Sequence, residues 1–234
     1  MIVLDRGIAR LVVHGANLVA MRESRSDRHS QLGAGMLNII AVCTGNICRS
    51  PLAEVLLASR LADLDVRISS AGTRARDGVQ VTPETASIAL SLGAPKERIE
   101  RHRARFLTTD VLGSADLGLA LSREHRRQIV EMDPTFMRKT FTARELARLL
   151  DGMSNEELLG AAASAADSPA PGSRFSAMLD VVAGRRGTVI PPAAEDDDVI
   201  DPYRRSSRTY ELSAAQLTSA LPAVERLARL AFAQ

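Results

Sequence analysis

Apolar residues along this chain fall into short, almost unbroken runs that alternate with longer stretches of helical spacing. The first run, MLNIIAV at residues 36–42, is apolar on both faces, which is typical of a central strand in a parallel sheet. Residues 65–70, 116–121 and 139–141 predict three further strands, and predicted helices separate the four. We therefore expect an α/β fold with three layers, α/β/α, built on a four-stranded parallel sheet.

Polar residues that cap helices mark where several of the predicted helices begin. Thr82 precedes Pro83 at one helix start, and Gly93 follows the end of the same helix. Thr142 is followed by Glu145 at the spacing of a capping box. The predicted helices cover residues 50–62, 83–92, 109–114, 123–132, 143–150, 155–166, 174–183 and 209–232. In the last helix, the predicted apolar stripe consists of Leu212, Ala215, Leu217, Leu221, Val224, Leu227 and Leu230.

Charge and cysteine content exclude several classes of protein. The 234 residues include 30 Lys and Arg against 28 Asp and Glu, and a net charge of +2 predicts no nucleic-acid partner. Residues 2–20 are apolar but too short and too charged to cross a bilayer, so we expect no membrane insertion. Cys43 and Cys48 are the only cysteines, which is neither a disulfide framework nor a zinc site. We expect a cytoplasmic protein with a reactive thiol and with no metal or cofactor.

The loop after the first strand brings together reactive and anion-binding types of residue. Residues 43–51 read CTGNICRSP, and a predicted helix follows them directly. Backbone N–H groups at a helix start attract anions, and they favour the thiolate form of Cys43. Arg49 offers two parallel donors to phosphate oxygens. Gly45 and Asn46 tolerate the left-handed backbone that a loop around an anion needs. The loop therefore predicts a nucleophile inside a phosphate-binding turn.

Residues 43–50 fit the pattern C-x5-R-S and resemble the signature loop of the low-molecular-weight protein tyrosine phosphatases. The resemblance covers most of residues 36–234 and recurs in the segments 69–73, 102–105, 122–126 and 201–203. Its order is also that of the family, with the nucleophile near the N-terminus and an Asp-Pro acid near the C-terminus. The resemblance implies a metal-independent phosphatase that hydrolyses phosphotyrosine through a phosphocysteine intermediate.

The resemblance also implies a role for each residue of the site. Cys43 would be the nucleophile, Arg49 would bind two phosphate oxygens, and Asp201 would be the general acid. Asp198 is the nearest alternative for the acid. The phosphate-binding loop would comprise Thr44, Gly45, Asn46, Ile47, Cys48 and Ser50, with the Ser50 hydroxyl donating to the thiolate. The other predicted site residues are Ser70, His102 and Pro202, which would support the loops, and Tyr203, which would form one wall of the cleft.

One segment departs from the family pattern and affects the expected substrate. Residues 74–78 lack the aromatic side chain that many members place opposite the tyrosine of the acid loop. Arg74 and Arg76 stand there and would favour acidic residues next to the phosphorylated residue. The expected partner is a phosphotyrosine-containing protein, and a tyrosine kinase is one such protein.

Cys48 has two interpretations. Family precedent suggests a reversible disulfide between Cys43 and Cys48 that would protect the nucleophile from irreversible oxidation. The alternative is a cysteine that only fills space in the core.

Two other functions stay open on the sequence alone. An arsenate reductase coupled to a small thiol shares this fold and loop and needs only one cysteine, although the Asp-Pro acid favours ester hydrolysis. A module that binds phosphorylated proteins without turnover is the second alternative. The presence of Cys43, Arg49 and Asp201 together argues against it.

Two segments lie outside the family pattern. We interpret residues 1–35 as a mobile N-terminal extension and residues 36–234 as the phosphatase domain. Within that domain, residues 152–194 form a longer connection than the family usually needs before the acid loop. We expect this connection to be a surface elaboration, and a regulatory or partner site is the alternative.

Overall fold

The structure is a computed structural model that describes residues 35–164, 170–191 and 193–233. The predicted N-terminal extension, residues 1–35, therefore lies outside the described residues except for Gly35. Within the described part of the chain, no helix combines the length and the apolar character needed to cross a membrane.

Four short strands form one parallel sheet. They are β1 (Leu37–Cys43), β2 (Val66–Gly72), β3 (Leu117–Ala120) and β4 (Thr140–Thr142), in the spatial order β2-β1-β3-β4. The central strand β1 ends where Cys43 pairs with Gly72 on one side, and Val42 pairs with Ala120 on the other. Because the chain leaves β1 for one neighbour and later returns to the other, a crevice opens at the carboxyl end of β1. The predicted sheet is confirmed, and Cys43 lies at this crevice.

Helices cover both faces of the sheet and complete the three predicted layers. They are α1 (Arg49–Arg60), α2 (Pro83–Ser91), α3 (Lys96–Arg101), α4 (Thr109–Gly113), α5 (Arg123–Met132), α6 (Ala143–Leu150), α7 (Asn155–Ser164), α8 (Pro171–Gly184) and α9 (Ser207–Phe232). Ile39 and Ala41 of β1 face a large core shared with α1, α6 and α9. Ile40 and Val42 point to the opposite face and pack in a smaller core with Ile129 of α5.

Local capping explains why most helix starts match the predictions. The side chains of Thr82, Ser122 and Thr142 each accept a hydrogen bond from the first turn of the helix that follows, and Glu145 completes the predicted capping box. Helix α3 was not predicted. It has only six residues, no capping side chain and a single buried apolar residue, Ile99, so it leaves almost no pattern in the sequence.

The predicted apolar stripe of the last helix is partly wrong. Leu217, Leu221, Val224 and Leu227 are buried as expected, but Leu212 is 49% exposed and Ala215 is exposed. The first turns of α9 bury Tyr210, Ser213 and Ala214 instead. The burial of Tyr210 and Ser213 depends on contacts with other elements of the fold. The spacing of apolar residues along the helix does not reveal such contacts.

The connection over residues 152–194 is more than the expected surface elaboration. The two helices in it, α7 and α8, contribute seven buried apolar residues to the main core, namely Leu158, Ala162, Phe175, Met178, Leu179, Val182 and Ala183. The predicted helix over 174–183 begins earlier, with Pro171 at its first turn. Residues 165–169, which precede this helix, lie outside the described residues.

Candidate active site

The loop between β1 and α1 is held in its shape by one buried side chain. Asn46 has a left-handed backbone, with φ of 55°, and its side chain is fully buried. Its amide nitrogen donates to Ser50 Oγ at 2.9 Å and to Ser70 Oγ at 2.7 Å. Its amide oxygen accepts from the Arg105 backbone N–H at 3.0 Å. The predicted loop residue Asn46 and supporting residue Ser70 therefore meet in one hydrogen-bonded cluster.

Gly72 lets the same loop lie close to the end of β2. A Cβ atom at this position would come within 2.6 Å of the Thr44 carbonyl oxygen and 2.9 Å of the Asn46 backbone nitrogen. Backbone atoms cannot move aside cheaply, so a larger residue would push the loop away. The loop also accepts hydrogen bonds from the next segment, where Thr73 and Arg74 donate to the Cys43 and Thr44 carbonyls at 2.9 Å each.

Cys43 lies at the base of the loop with its sulfur among polar groups. The thiol is 3% exposed, and the Asn46 backbone N–H donates to Sγ at 3.3 Å. Ser50 Oγ lies 3.0 Å from Sγ and 3.4 Å from the Ala71 carbonyl oxygen. Since the Asn46 amide already donates to Ser50, the Ser50 hydroxyl hydrogen can point at the sulfur. A backbone N–H and a hydroxyl group therefore lie within hydrogen-bond distance of the sulfur of the predicted nucleophile.

Arg49 joins the loop to the predicted acid. Its side chain is buried, Nη1 donates to the Val199 carbonyl at 3.0 Å, and Nη2 lies 3.2 Å from Asp201 Oδ2. The side chain of Asp201 is 53% exposed, so the carboxyl group faces the crevice. Pro202 behind it is buried, and the Tyr203 backbone N–H donates to Asp201 Oδ1 at 3.2 Å. Cys43, Arg49 and Asp201 are thus assembled in one place.

Asp198, the alternative acid, is engaged elsewhere. Its carboxylate accepts from the Arg123 backbone N–H at 2.7 Å and pairs with the Arg123 side chain at 3.0 Å. These bonds tie Asp198 to the start of α5 rather than to Arg49. Of these two carboxylates, Asp201 is the one that contacts Arg49.

The predicted supporting residue His102 acts through an unpredicted carboxylate. His102 Nε2 lies 2.9 Å from the Asn46 carbonyl oxygen, and Nδ1 lies 3.6 Å from Glu54 Oε2. The Ser70 hydroxyl donates to the same Glu54 oxygen. Glu54 therefore links both supporting residues behind the loop. A carboxylate within an otherwise apolar helix start, LAEVLL, is the only sequence signal that could have found it.

His125 is a second residue of the site that sequence analysis did not assign. Nε2 lies 2.9 Å from Thr44 Oγ1, and Nδ1 lies 2.9 Å from Ser122 Oγ. Burial, and then the nearby charge of Arg49, lowers the pKa of His125 to about 4. The imidazole is therefore neutral at physiological pH and holds the Thr44 hydroxyl. The segment 122–126 had pointed to the family without giving this residue a role.

A cavity of about 310 Å³ opens above the loop. Cys43 and Arg49 lie at its base together with the predicted loop residues Thr44, Gly45, Ile47 and Cys48. Arg74, Arg76, Val79, Asp201 and Tyr203 also line the cavity. Tyr203, the predicted wall residue, is 44% exposed. The cavity therefore brings the predicted nucleophile, the predicted phosphate-binding arginine and the predicted acid to one space.

The chain matches a family model described as low molecular weight phosphotyrosine protein phosphatase over residues 38–157. The match covers 120 of the 234 residues and includes Cys43 and Arg49. The chain belongs to this family. Membership confirms the predicted family, and the parallel sheet with helices on both faces confirms the predicted fold.

Curated relatives and solved structures agree with this assignment. The chain is 35% identical to a protein-arginine-phosphatase of Bacillus subtilis (strain 168), over 47% of this chain and 71% of that protein. It is 37% identical to the low molecular weight protein-tyrosine-phosphatase Etp of Escherichia coli (strain K12), over 44% of this chain and 66% of that protein. The fold is similar to the low molecular weight protein tyrosine phosphatase from T. tengcongensis, with a TM-score of 0.55 and 24% identity over 81% and 97% of the two chains.

The phosphatase family match ends before the acid loop. Asp201, Pro202 and Tyr203 lie beyond residue 157, so their roles rest on the resemblance of the Asp-Pro-Tyr segment and on the contact with Arg49. Residues 158–200 lie between the matched part and this segment, and they include most of the connection at residues 152–194.

Cys48 is buried at the edge of the phosphatase loop. Its sulfur lies 3.7 Å from Thr82 Oγ1 and 3.8 Å from the Tyr210 hydroxyl, and it is a free thiol, as is Cys43. Burial raises the pKa of the Cys48 thiol, and burial also raises the pKa of Tyr210 to about 12. Cys48 is therefore protonated at neutral pH and is a poor nucleophile by itself.

Proposed function

We propose that this protein is a protein-tyrosine phosphatase that uses Cys43 as nucleophile and Asp201 as general acid. The observation that carries the proposal is the meeting of three groups at one cavity. The Cys43 sulfur lies at its base, and Arg49 lies 3.2 Å from the carboxylate of Asp201 at its wall. Family membership supplies the phosphatase chemistry, and this geometry supports the proposed roles.

The first step transfers the phosphoryl group to the enzyme. The Cys43 thiolate attacks phosphorus, an S–P bond forms, and the P–O bond to the tyrosine breaks. Arg49 and the backbone N–H groups of residues 44–49 bind the phosphate oxygens and stabilise the charge of the transition state. Asp201 gives its proton to the leaving phenolate. The products of this step are the dephosphorylated protein and phosphocysteine.

The second step restores the enzyme. Asp201, now a carboxylate, accepts a proton from a water molecule that attacks phosphorus. The S–P bond breaks, Cys43 returns to the thiolate, and inorganic phosphate leaves. Ser50 stabilises the thiolate leaving group because its hydroxyl lies 3.0 Å from the sulfur. No metal or cofactor takes part in either step.

The salt bridge between Arg49 and Asp201 belongs to the enzyme without bound substrate. A phosphate group carries more negative charge than a carboxylate and offers two oxygens to the guanidinium fork. Substrate would therefore take the Nη2 donor from Asp201, while Nη1 keeps its bond to the Val199 carbonyl. Asp201 is then free to turn toward the leaving oxygen.

The lining of the cavity favours phosphotyrosine over phosphoarginine. Ile47, Val79 and Tyr203 offer apolar contact to an aromatic ring. Arg74 and Arg76 line the same cavity, and they repel the guanidinium that a phosphoarginine carries. The relative from Bacillus subtilis is named an arginine phosphatase, so a direct comparison of the two substrates is required.

The same two arginines favour acidic residues on either side of the phosphotyrosine. Arg204, with a left-handed φ of 59°, lies with its guanidinium carbon 5.2 Å from the centre of the Tyr203 ring and adds a third positive charge at the mouth. Surface charges of this kind raise the rate of association and are screened by salt. The physiological substrate would be an acidic phosphotyrosine segment of a cytoplasmic protein, and a tyrosine kinase is one candidate.

The test is the hydrolysis of p-nitrophenyl phosphate without added metal by wild type, Cys43→Ser and Asp201→Ala, with arsenate and a small thiol assayed in parallel. We expect turnover by wild type, none by Cys43→Ser, and a loss of about 10²-fold or more in Asp201→Ala. Reduction of arsenate without ester hydrolysis would instead support the reductase. Peptides of equal sequence that carry phosphotyrosine or phosphoarginine then decide the substrate.

A further inference from the structure

The entry to the acid loop is fixed by a partly buried ion pair whose two residues do not line the cavity. We propose that Arg148 and Asp197 form a joint that positions the general acid, Asp201, and that couples the connection at residues 152–194 to catalysis. This inference rests on the proposed function, because it concerns the placement of the acid in that reaction.

The joint is a two-pronged pair with little access to water. Asp197 is 7% exposed, and its two carboxylate oxygens accept from Arg148 Nε at 3.0 Å and Nη2 at 2.7 Å. The remaining nitrogen of Arg148, Nη1, donates to the Val189 carbonyl. One guanidinium on α6 thus binds the end of the connection and the start of the acid loop together. A pair with two parallel hydrogen bonds fixes the relative orientation of its side chains more strictly than an exposed ion pair does.

The backbone that follows Asp197 is fixed at every residue up to Val199. The Thr142 hydroxyl donates to the Asp197 carbonyl, and Arg144 donates to the Asp198 carbonyl at 2.9 Å. Val199 is buried, and its N–H donates to the Leu121 carbonyl at 3.0 Å. These bonds come from the end of β4, from α6 and from Leu121, the residue directly after β3. The chain therefore enters the acid loop in one direction.

The connection holds the other side of the joint. Arg186 donates to Glu145 Oε1 at 2.7 Å and lies 4.1 Å from the centre of the Phe141 ring. Glu145 is in the first turn of α6, the helix that carries Arg148. Helix α8, directly before Arg186 in the chain, is anchored by the buried side chains of Phe175 and Met178. The connection, anchored by the packing of α8, thus holds the Val189 carbonyl oxygen next to Arg148.

Asp201 has little support of its own. Its carboxylate contacts Arg49 and the Tyr203 backbone N–H of its own loop, both at 3.2 Å, and more than half of the side chain is exposed. Because substrate phosphate takes the Arg49 contact, the position of Asp201 during catalysis depends on the backbone that leads into its loop. A displacement of about 1 Å is enough to impair proton transfer. The joint is therefore a positioning device for the acid.

The experiment measures how kcat/KM depends on the leaving group. Wild type, Asp197→Asn and Arg148→Lys hydrolyse a series of aryl phosphates that ranges from 2,4-dinitrophenyl to phenyl phosphate. A weakly basic dinitrophenolate leaves without a proton, whereas phenolate needs one. Since general acid catalysis contributes about 10²–10⁴-fold, we expect each variant to lose roughly 10-fold with phenyl phosphate and less than about 2-fold with the dinitrophenyl ester.

Two further variants separate positioning from stability. Asp180→Asn removes the exposed ion pair between Asp180 and Arg138, which joins α8 to the residues just before β4. This variant should keep the wild-type dependence on the leaving group. Adding Asp197→Asn to Asp201→Ala should cost no further activity, because the acid that the joint positions is already absent. An equal loss across the ester series, or a further loss on the Asp201→Ala background, would overturn the inference.

Failure of the inference is distinguishable from failure of the proposed function. If Asp201→Ala depends on the leaving group as wild type does, the acid assignment itself is wrong. If Asp201→Ala shows the steeper dependence and Asp197→Asn and Arg148→Lys do not, only the joint is wrong. Should Asp197→Asn fail to fold, Arg148→Lys decides alone, because lysine keeps the charge next to Asp197 and removes the two-pronged contact.

Discussion

Replacing Asn46 by alanine should destabilise the protein and weaken the active-site loop together. The change removes three hydrogen bonds of a fully buried amide, two to hydroxyl oxygens and one from the Arg105 backbone. At roughly 0.5–1.5 kcal/mol for each bond, their loss costs about 1.5–4.5 kcal/mol. The left-handed φ of 55° adds about 1–2 kcal/mol for alanine, so the total is about 2.5–6.5 kcal/mol.

Asn46→Gly separates the two causes. Glycine adopts the left-handed conformation without strain but makes no side-chain bonds, so it should be more stable than Asn46→Ala by about 1 kcal/mol and less stable than wild type. The assay is chemical denaturation at equilibrium, with kcat/KM on p-nitrophenyl phosphate measured alongside. Asn155→Ala is the control, because that exposed amide makes one bond, to Arg226, and should cost about 1 kcal/mol or less.

Three results would refute this reasoning about the loop. The first is an Asn46→Ala variant within about 1 kcal/mol of wild type, which would mean that the buried amide bonds contribute no net stability. The second is an Asn46→Gly variant less stable than Asn46→Ala, which would mean that the left-handed backbone is not a cost for alanine. Loss of activity without loss of stability would also contradict the view that one cluster serves both.

Three further predictions concern the surroundings of the loop. Gly72→Ala should weaken inhibition by inorganic phosphate by about 10-fold or more, since a Cβ would lie 2.6 Å from the Thr44 carbonyl oxygen; an unchanged inhibition constant would contradict this. The pKa of His125 is lowered to about 4 in the fold, so below pH 6.5 the unfolded chain binds more protons than the folded one. Stability therefore decreases as the pH decreases. Between pH 7 and pH 5 the loss due to this residue is about 2 kcal/mol, and His125→Gln should lack it in denaturation curves; an equally steep loss in that variant would be evidence against it. Wild type should recover from peroxide on addition of a thiol, and Cys48→Ser should not, if Cys48 traps oxidised Cys43 as a disulfide; equal recovery would leave Cys48 a packing residue.

The contiguous part of the site could be predicted from the sequence because its chemistry is local. A strand, a turn with Cys43 and Arg49 and a helix start follow one another in the sequence, so the nucleophile and the anion-binding groups are close in the chain. Asp201 could be predicted as the acid only from the family resemblance. The structure is required to distinguish it from Asp198, because the two carboxylates are close in the chain and differ in their contacts, with Arg49 and with Arg123.

Residues that act across elements could not be predicted in this way. Glu54 and His125 belong to helices whose own pattern gives them no special place, and each acquires its role from a partner in another element. The two helices of the connection were expected at the surface because nothing local shows that Phe175 packs in the main core. Burial of Tyr210 in place of Leu212 has the same origin.

The central claim is that Cys43 carries the phosphoryl group, and a direct measurement is to trap that intermediate. The Asp201→Ala variant is mixed with p-nitrophenyl phosphate, quenched in acid within the first turnover and digested for mass spectrometry. The account predicts one added phosphoryl group on the peptide that contains Cys43, and none in the double variant that also carries Cys43→Ser. An unmodified Cys43 during active turnover, or a phosphoryl group on another residue, would contradict it.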